Sequence, residues 1–514
     1  MNKNNIKTLQ DLVAGSAEEY ENKIFIKEKN GNQIMEKSFR EFYCDVQKMT
    51  AFVNDKRKSA DKPIHAAVIG ASSYAWLVSY FGTVCGGNAA VPLDAQLGCK
   101  DICELLTRSD SEIFFYDSRY EKMISEIKSS CPNVHTYVSF GSDFKNILAD
   151  NEPAEFTAVS PDALAAISYT SGTTGKSKGV MLLNRNLIDN AMCQDNESTT
   201  DDVILSVLPI HHIYCFTCDV LCSLRYGAEL CLNDSMMRIP QNLKLFRPTI
   251  MLIVPMIAET IYKQIKAASA AKPDIPISVI ANAVFGGRLK TIYSGGAYLR
   301  PELQKAYIEM GFQMAQGYGM TECSPRISTA DRFDTACDGD VGIIVNGCQV
   351  KIENGEIMVK SPSVMAGYYK DAEATAEALT PDGWLHTGDL GYVDNRNRIF
   401  ITGRKKNLII LSNGENVSPE ELENKFAGID YISEVLVYTE ESVICAEIFP
   451  DQNVCDGWTN DEIAAKLRQT VDNINKTVTS AKAIRRLRIR NTEFDKTASK
   501  KIQRNQAVQG EIIK

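Results

Sequence analysis

Between residues 170 and 179 the chain reads Thr170-Ser171-Gly172-Thr173-Thr174-Gly175-Lys176-Ser177-Lys178-Gly179, with three glycines, five hydroxyls and two lysines together. Glycines let backbone N–H groups close on a polyanion, hydroxyls donate further hydrogen bonds, and lysines supply charge, so phosphate is the ligand this stretch suits. A flexible surface turn is the plain alternative, and the crowding of donors argues against it. Gly175-Lys176-Ser177 copies the end of a Walker-type P-loop, G-x-x-x-x-G-K-[ST]. The first glycine of that pattern is replaced by Thr170, and Gly172 comes two residues too late to build the same nest.

Further groups with chemical potential follow. Glu322 comes just after the aromatic Tyr318, which is flanked by Gly317 and Gly319, and a carboxylate near a glycine-hinged ring is what a metal-bound nucleotide requires. Asp389, when ionised, accepts two hydroxyl hydrogen bonds. Arg404-Lys405-Lys406, taken alone, is a solvated basic turn. Cys215-Phe216-Thr217-Cys218, with Cys222 one turn later, is formally C-x-x-C, but no second C-x-x-C and no placed His completes a zinc site, so apolar helix packing is the expectation.

Taken in order along the chain, these segments resemble the signatures of the adenylate-forming superfamily: acyl-CoA synthetases, luciferases and adenylation domains of peptide synthetases. The resemblance implies that Thr170, Ser171, Gly172, Thr173, Thr174, Gly175 and Lys178 handle the β- and γ-phosphates of ATP, and that Gly295, Gly296 and Ala297 hold the adenine. It further implies that Tyr318, between Gly317 and Gly319, stacks on adenine, that Thr321 meets the α-phosphate, and that Glu322 holds Mg2+. Asp389 matches the ribose acceptor, Arg404 the second ribose and phosphate contact, Lys406 the hinge between domains, and Gly414 the glycine that admits a pantetheine arm. The catalytic lysine aligns with Lys501, in Thr497-Ala498-Ser499-Lys500-Lys501-Ile502; Lys500 stands where the family has glycine and is a competing charge. Ser177 likewise replaces the family's usual proline.

Leu208-Pro209-Ile210-His211-His212-Ile213-Tyr214 resembles the segment that gates the acyl pocket, with His212 at the gating place. Members that activate α-amino acids carry an Asp directly after the gating aromatic; here Ile213 would leave an ammonium unpartnered, which favours a fatty or aromatic acid. The implied activity is an acid–thiol ligase: ATP-dependent conversion of a carboxylic acid, of fatty type, to acyl-AMP and then to a CoA thioester. Alternatives are a fatty acyl-AMP ligase that loads an acyl carrier protein, and a non-ligase protein that binds or hydrolyses ATP. The implied cofactors are ATP, Mg2+ and coenzyme A.

The elements that must position these groups show in the patterning. Ala66–Ile69 and Ala89–Leu93 are apolar strand-like runs, each followed by a helix-like stretch, 75–85 and 101–108, and such alternation reads as α/β layering with largely parallel strands. Further strands are expected at 112–116, 165–169, 250–254 and 290–293. After about residue 340 short strands at 342–345, 350–352 and 356–359 suggest a β subdomain, and from Arg404 onward strands at 434–437 and 443–446 with a helix over 459–475 suggest a smaller α+β unit. The resemblance converts this into an α/β multidomain fold: an N-terminal AMP-binding domain of two α/β sheet subdomains and a β-barrel-like subdomain over 1–403, and a mobile α+β lid over 404–514.

At 514 residues, 44% hydrophobic and 24% charged, the chain has the composition of a globular protein of two or more packed units. The net charge of -9 gives no bulk attraction to nucleic acid or anionic membrane. No signal-peptide pattern and no apolar run of transmembrane length is present, so a soluble cytoplasmic protein is expected, with the oligomeric state left open. Fifteen cysteines, many in apolar contexts, fit buried reduced thiols. Arg485, Arg486, Arg488 and Arg490 alternate along a strand expected to be solvated, where they could also steer CoA phosphates.

Overall fold

The computed structural model describes residues 5–31, 33–59, 62–170, 177–194, 198–411, 416–441, 443–496, 502–504 and 508–512. The chain divides into two units. The first comprises Met1–Val350, Val359–His386 and Arg396–Arg398, and the second comprises Lys351–Met358, Thr387–Asn395 and Ile399–Lys514.

Two large sheets build the first unit. In the seven-stranded sheet, Ala89–Leu93, His65–Ile69, Ile113–Tyr116 and Thr136–Ser139 run parallel, while Leu164–Thr170 and Lys178–Leu183 form an antiparallel pair towards one edge. Strands this short and apolar are covered on both faces, which is why they read as continuous Val, Ile, Phe and Ala runs. Phe114, Tyr116, Ile69 and Val91 pack against Ile102, Leu105 and Leu106 of the helix Cys99–Arg108. Burial of each such side chain contributes about 1.5–3 kcal/mol. In the nine-stranded sheet the central strands Gln313–Gly319, Thr291–Ser294, Ile250–Ile253, Val203–Ser206 and Glu229–Leu232 are neighbours in that order and all parallel. Their carboxyl ends therefore share one edge, the usual ligand-binding edge of such sheets. The expected strand over 342–345 is shortened to Ile343–Ile344 and belongs to this sheet, pairing with Arg326–Thr329, rather than to a separate β subdomain.

A four-stranded sheet of Gln349–Glu353, Glu356–Lys360, Leu385–Val393 and Ile399–Arg404 has most of its residues in the second unit. Beyond it, Ile432–Glu440, Val443–Pro450, Arg486–Ile489 and Glu511–Ile512 form another four-stranded sheet. The helix Asn460–Asn475 starts at a capping box in which Thr459 and Glu462 satisfy each other's backbone amides, and it buries Leu467 and Val471 against Ile444, Ala446 and Ile448.

The four arginines expected to be solvated divide: Arg485 is exposed, Arg486 and Arg488 are half-buried, and Arg490 is buried. Arg486 and Arg488 pair with Glu440. Arg490 is 2% exposed, lies 3.5 Å from Glu447, and has its guanidinium 4.1 Å from the centre of the Phe494 ring. Glu447 also accepts from the amides of Gln509 and Gly510, so the pair ties the C-terminal segment to this sheet. Arg490→Ala, which strands a buried carboxylate, is expected to destabilise the second unit by about 3 kcal/mol, read as a lowered urea midpoint of its unfolding transition. All fifteen cysteines are free thiols. Among the described residues, no helix is long and apolar enough to cross a membrane.

Candidate active site

The phosphate-type loop is the connection of a β-hairpin. Leu164–Thr170 leads into it and Lys178–Leu183 returns antiparallel, with Thr170 opposite Lys178 and Tyr169 opposite Gly179. A Walker P-loop passes from a strand straight into a helix, so the topology separates the two as the missing first glycine did. Ser171, Gly172, Thr173, Thr174, Gly175 and Lys176 lie outside the described residues. The stems are held from both sides. Arg108 donates from Nη2 to the Ser177 carbonyl at 2.5 Å and lies over the Tyr169 ring at 5.4 Å, while the Tyr369 amide donates to the Gly179 carbonyl at 2.7 Å. A concavity of about 320 Å³ opens here, lined by Arg108, Lys178, Lys370 and the rings of Tyr169 and Tyr369. Burial pushes the Tyr169 phenol up to about 12, so it stays protonated and neutral beside these cations.

Two other predicted segments emerge side by side. Thr291–Ser294 and Gln313–Gly319 are parallel neighbours with Ser294 opposite Gln316, which sets Gly295-Gly296-Ala297 next to Gly317-Tyr318-Gly319 at the carboxyl edge. A Cβ on Gly319 would stand 2.1 Å from the Pro325 carbonyl oxygen, so no side chain fits there. A Cβ on Gly295 would meet the Tyr214 ring at 3.0 Å, which places the phenol end of Tyr214 against the turn.

After Gly319 the chain tightens into the short 3-10 turn Thr321–Cys323. Buried Asn190 clamps the turn, donating to the carbonyls of Cys323 and Arg326 and accepting from the Arg326 amide. Glu322 is 8% exposed, and its Oε1 accepts from Tyr368 Oη at 2.8 Å. Among the described residues no group of three or more His, Cys, Asp or Glu could hold a metal ion. That donor set does not make a protein cage for a cation, but one carboxylate suits Mg2+, which is usually held by substrate phosphates, water and one or two carboxylates.

The two histidines differ sharply. The His211 side chain is 9% exposed, and burial holds its imidazole well below the usual value, with His212 adding to the effect; it is neutral at pH 7 despite Asp94 at 3.8 Å. His212, the residue expected to gate, lies on the exposed side of the pair, the rings 4.2 Å apart. The helix expected to carry the cysteines is interrupted: Ile213–Cys215 is α-helical, Phe216–Leu221 is π-helical, and Cys222–Tyr226 is α-helical again. Cys215 serves packing and hydrogen bonding, with its sulfur 3.2 Å from Ser206 Oγ.

In the second unit the ribose-type pair is assembled on a β-ribbon. Asp389 and Arg404 are register partners of the strands Leu385–Val393 and Ile399–Arg404, and Arg404 Nε donates to Asp389 Oδ1 at 2.7 Å. The Asp389 side chain is 4% exposed and that of Arg404 is 44% exposed, so the carboxylate is presented at the base and the guanidinium at the surface. Glu356 fixes the neighbouring backbone, accepting from the Gly388 amide at 3.0 Å and from Lys405 Nζ at 2.8 Å. Lys406 is exposed in the turn Lys405–Asn407. Gly414 and Lys501 lie outside the described residues. Tyr368, Arg108 and Asn190 were not anticipated, because a lone Tyr, Arg or Asn carries no spacing signal until the fold brings it to the loop.

A strand-ended α/β sheet with a glycine-rich hairpin loop, a glycine-flanked Tyr and a buried Glu defines a nucleotide-binding enzyme of the adenylate-forming type. The comparisons agree: residues 13–369 match the AMP-binding enzyme family model, residues 406–510 match the AMP-binding enzyme C-terminal domain, and the chain belongs to this family of adenylating enzymes. Its relatives are CoA ligases. The Mycobacterium bovis long-chain-fatty-acid–CoA ligase FadD15 is 26% identical over 496 residues, covering 83% of this chain and 82% of the relative. The Arabidopsis thaliana 4-coumarate–CoA ligase 1 is 32% identical over 411 residues, covering 73% and 71%. Among solved structures, o-succinylbenzoate CoA synthetase (MenE) from Bacillus subtilis in complex with AMP superposes with a TM-score of 0.78 at 25% identity, covering 98% and 99%.

Proposed function

We propose that this enzyme activates a fatty acid with ATP and passes the acyl group to CoA. The observation that carries the fatty-acid reading is the apolar rim at the carboxyl edge of the nine-stranded sheet. After Glu229–Leu232 the 3-10 turn Met236–Arg238 exposes Met237 at 89%, after Ile250–Ile253 the first turn of the helix Pro255–Ala270 exposes Met256 at 57%, and after Thr291–Ser294 the loop exposes Tyr298 at 42%. Two charge pairs stand beside these residues, Arg238 with Asp234 and Arg300 with Glu259. Flexible thioethers suit a hydrocarbon chain of variable shape, and neutral His211 adds no charge.

In this reading the hairpin loop and Lys178 grip the β- and γ-phosphates, Tyr318 stacks on the adenine, Asp389 and Arg404 hold the ribose, and Thr321 meets the α-phosphate. The substrate carboxylate attacks the α-phosphorus in line, the bond to the β-phosphate oxygen breaks, and pyrophosphate leaves. Mg2+ bound through Glu322 and the phosphates would offset their negative charge. The Lys501 ammonium balances charge on the α-phosphate as acyl-AMP forms. The C-terminal domain, 404–514, then turns about Lys406, and a CoA thiolate entering past Gly414 attacks the acyl carbon and displaces AMP. A screen of pyrophosphate release over short, medium and long fatty acids, aromatic acids and amino acids, with CoA or acyl carrier protein, tests this. A medium or long fatty acid with CoA is expected to give the highest kcat/KM. Preference for an aromatic acid, for carrier protein, or γ-phosphate release without any acid would overturn it.

A further inference from the structure

Glu322 and Lys178 come from different sheets, yet one side chain touches both. Tyr368 Oη donates to Glu322 Oε1 at 2.8 Å, and Lys178 Nζ lies 4.8 Å from the centre of the same ring. Its backbone is fixed independently. Tyr368 pairs with Val180 of the strand leaving the phosphate loop, and its amide donates to Thr375 Oγ1 at 2.9 Å. Two residues earlier the Ala366 amide donates to the Met181 carbonyl, and the Met365 amide reaches the Glu322 carbonyl at 2.9 Å. The segment 365–369 is thus a splint between the turn that carries Glu322 and the exit of the loop.

We propose that Tyr368 is a positioning residue for the nucleotide site, aiming the Glu322 carboxylate by its hydroxyl and seating the Lys178 ammonium by its ring. The inference rests on the assignment of Glu322 to the metal side of bound ATP. In this hydrogen bond the phenol is the donor and the carboxylate the acceptor. A carboxylate has lone pairs enough to accept from the phenol at Oε1 and to meet a cation as well. A buried tyrosine serving the core alone would need no carboxylate at its tip and no ammonium over its face.

The test uses the full-length enzyme and compares wild type, Tyr368→Phe, Tyr368→Leu and Glu322→Gln. Mn2+ binding in the presence of ATP is read by electron paramagnetic resonance, and the Mg2+ dependence of acid-dependent pyrophosphate release is read in parallel. Tyr368→Phe keeps the ring and is expected to weaken Mn2+ binding about 10-fold and raise the half-saturating Mg2+ by a similar factor, with metal-free ATP binding unchanged. Tyr368→Leu is expected to weaken metal-free ATP binding as well, because Lys178 loses its seat. Wild-type metal dependence in Tyr368→Phe, or a loss explained entirely by a lowered melting temperature, overturns the inference. If Glu322→Gln itself leaves metal binding intact, the assignment of Glu322 fails; if Glu322→Gln is impaired and Tyr368→Phe is not, only the role of Tyr368 fails.

Discussion

Lys501→Ala is expected to lower acid-dependent pyrophosphate release about 100- to 1,000-fold, the usual cost of removing a charge aimed at a developing oxyanion. The loss should fall on kcat for adenylation, because the ammonium matters most as negative charge shifts onto the α-phosphate oxygens. Chemically prepared acyl-AMP supplied with CoA bypasses that step, so thioester formation from it should stay within a few-fold of wild type. The neighbouring Lys500, which occupies the family's glycine position, gives the control: Lys500→Gly is expected to leave adenylation within a few-fold of wild type. Should Lys500→Gly be the crippled variant, the alignment of the C-terminal loop is wrong by one residue. Single-turnover measurement of pyrophosphate release from both variants decides between them.

The second large effect concerns the β-ribbon of the C-terminal unit. Asp389→Asn is expected to weaken ATP binding about 100-fold, since hydrogen bonds to a charged acceptor contribute about 1.5–3 kcal/mol each and the amide offers only one carbonyl in place of two anionic oxygens. The Arg404 Nε contact at 2.7 Å would weaken too, loosening the guanidinium proposed to meet the ribose and phosphate. Isothermal titration with ATP and with 2′,3′-dideoxy-ATP separates these effects. Wild type should lose affinity when the ribose hydroxyls are removed, and Asp389→Asn should lose little more. An undiminished hydroxyl penalty in the variant would show that Asp389 does not read the ribose.

Much of the fold was legible because parallel buried strands advertise themselves. Residues 65–69, 89–93 and 113–116 are short apolar runs separated by helical stretches, and the only structure that buries such strands on both faces is an α/β layer. The helix 460–475 was legible from Thr459 and Glu462, whose spacing is a local capping signal. Less legible was the strand at 343–344, because a two-residue edge strand is defined by its partner Arg326–Thr329 and not by its own residues. The π-helical stretch at 216–221 was invisible for a similar reason: its hydrogen-bond period is set by what packs around it, and Cys, Thr and Asp carry no signal for it. The burial of Arg490 was not legible because charge alone does not reveal that Glu447 faces it.

The phosphate-binding role proposed for residues 170–179 comes from the sequence itself, since glycine, hydroxyl and ammonium groups concentrated in one loop suit a polyanion. The order of the later segments in turn determined the family. What required the tertiary structure was everything that depends on approach in space: the return of the loop as an antiparallel strand, the burial of His211 beside exposed His212, the meeting of Asp389 with Arg404 across a ribbon, and the grip of Tyr368 on Glu322 and Lys178. Residue type and local spacing encode what a side chain is able to do. Partners 46 or more residues apart, as Tyr368 and Glu322 are, meet only once the sheets have stacked and the entropy of ordering that chain has been offset by the core.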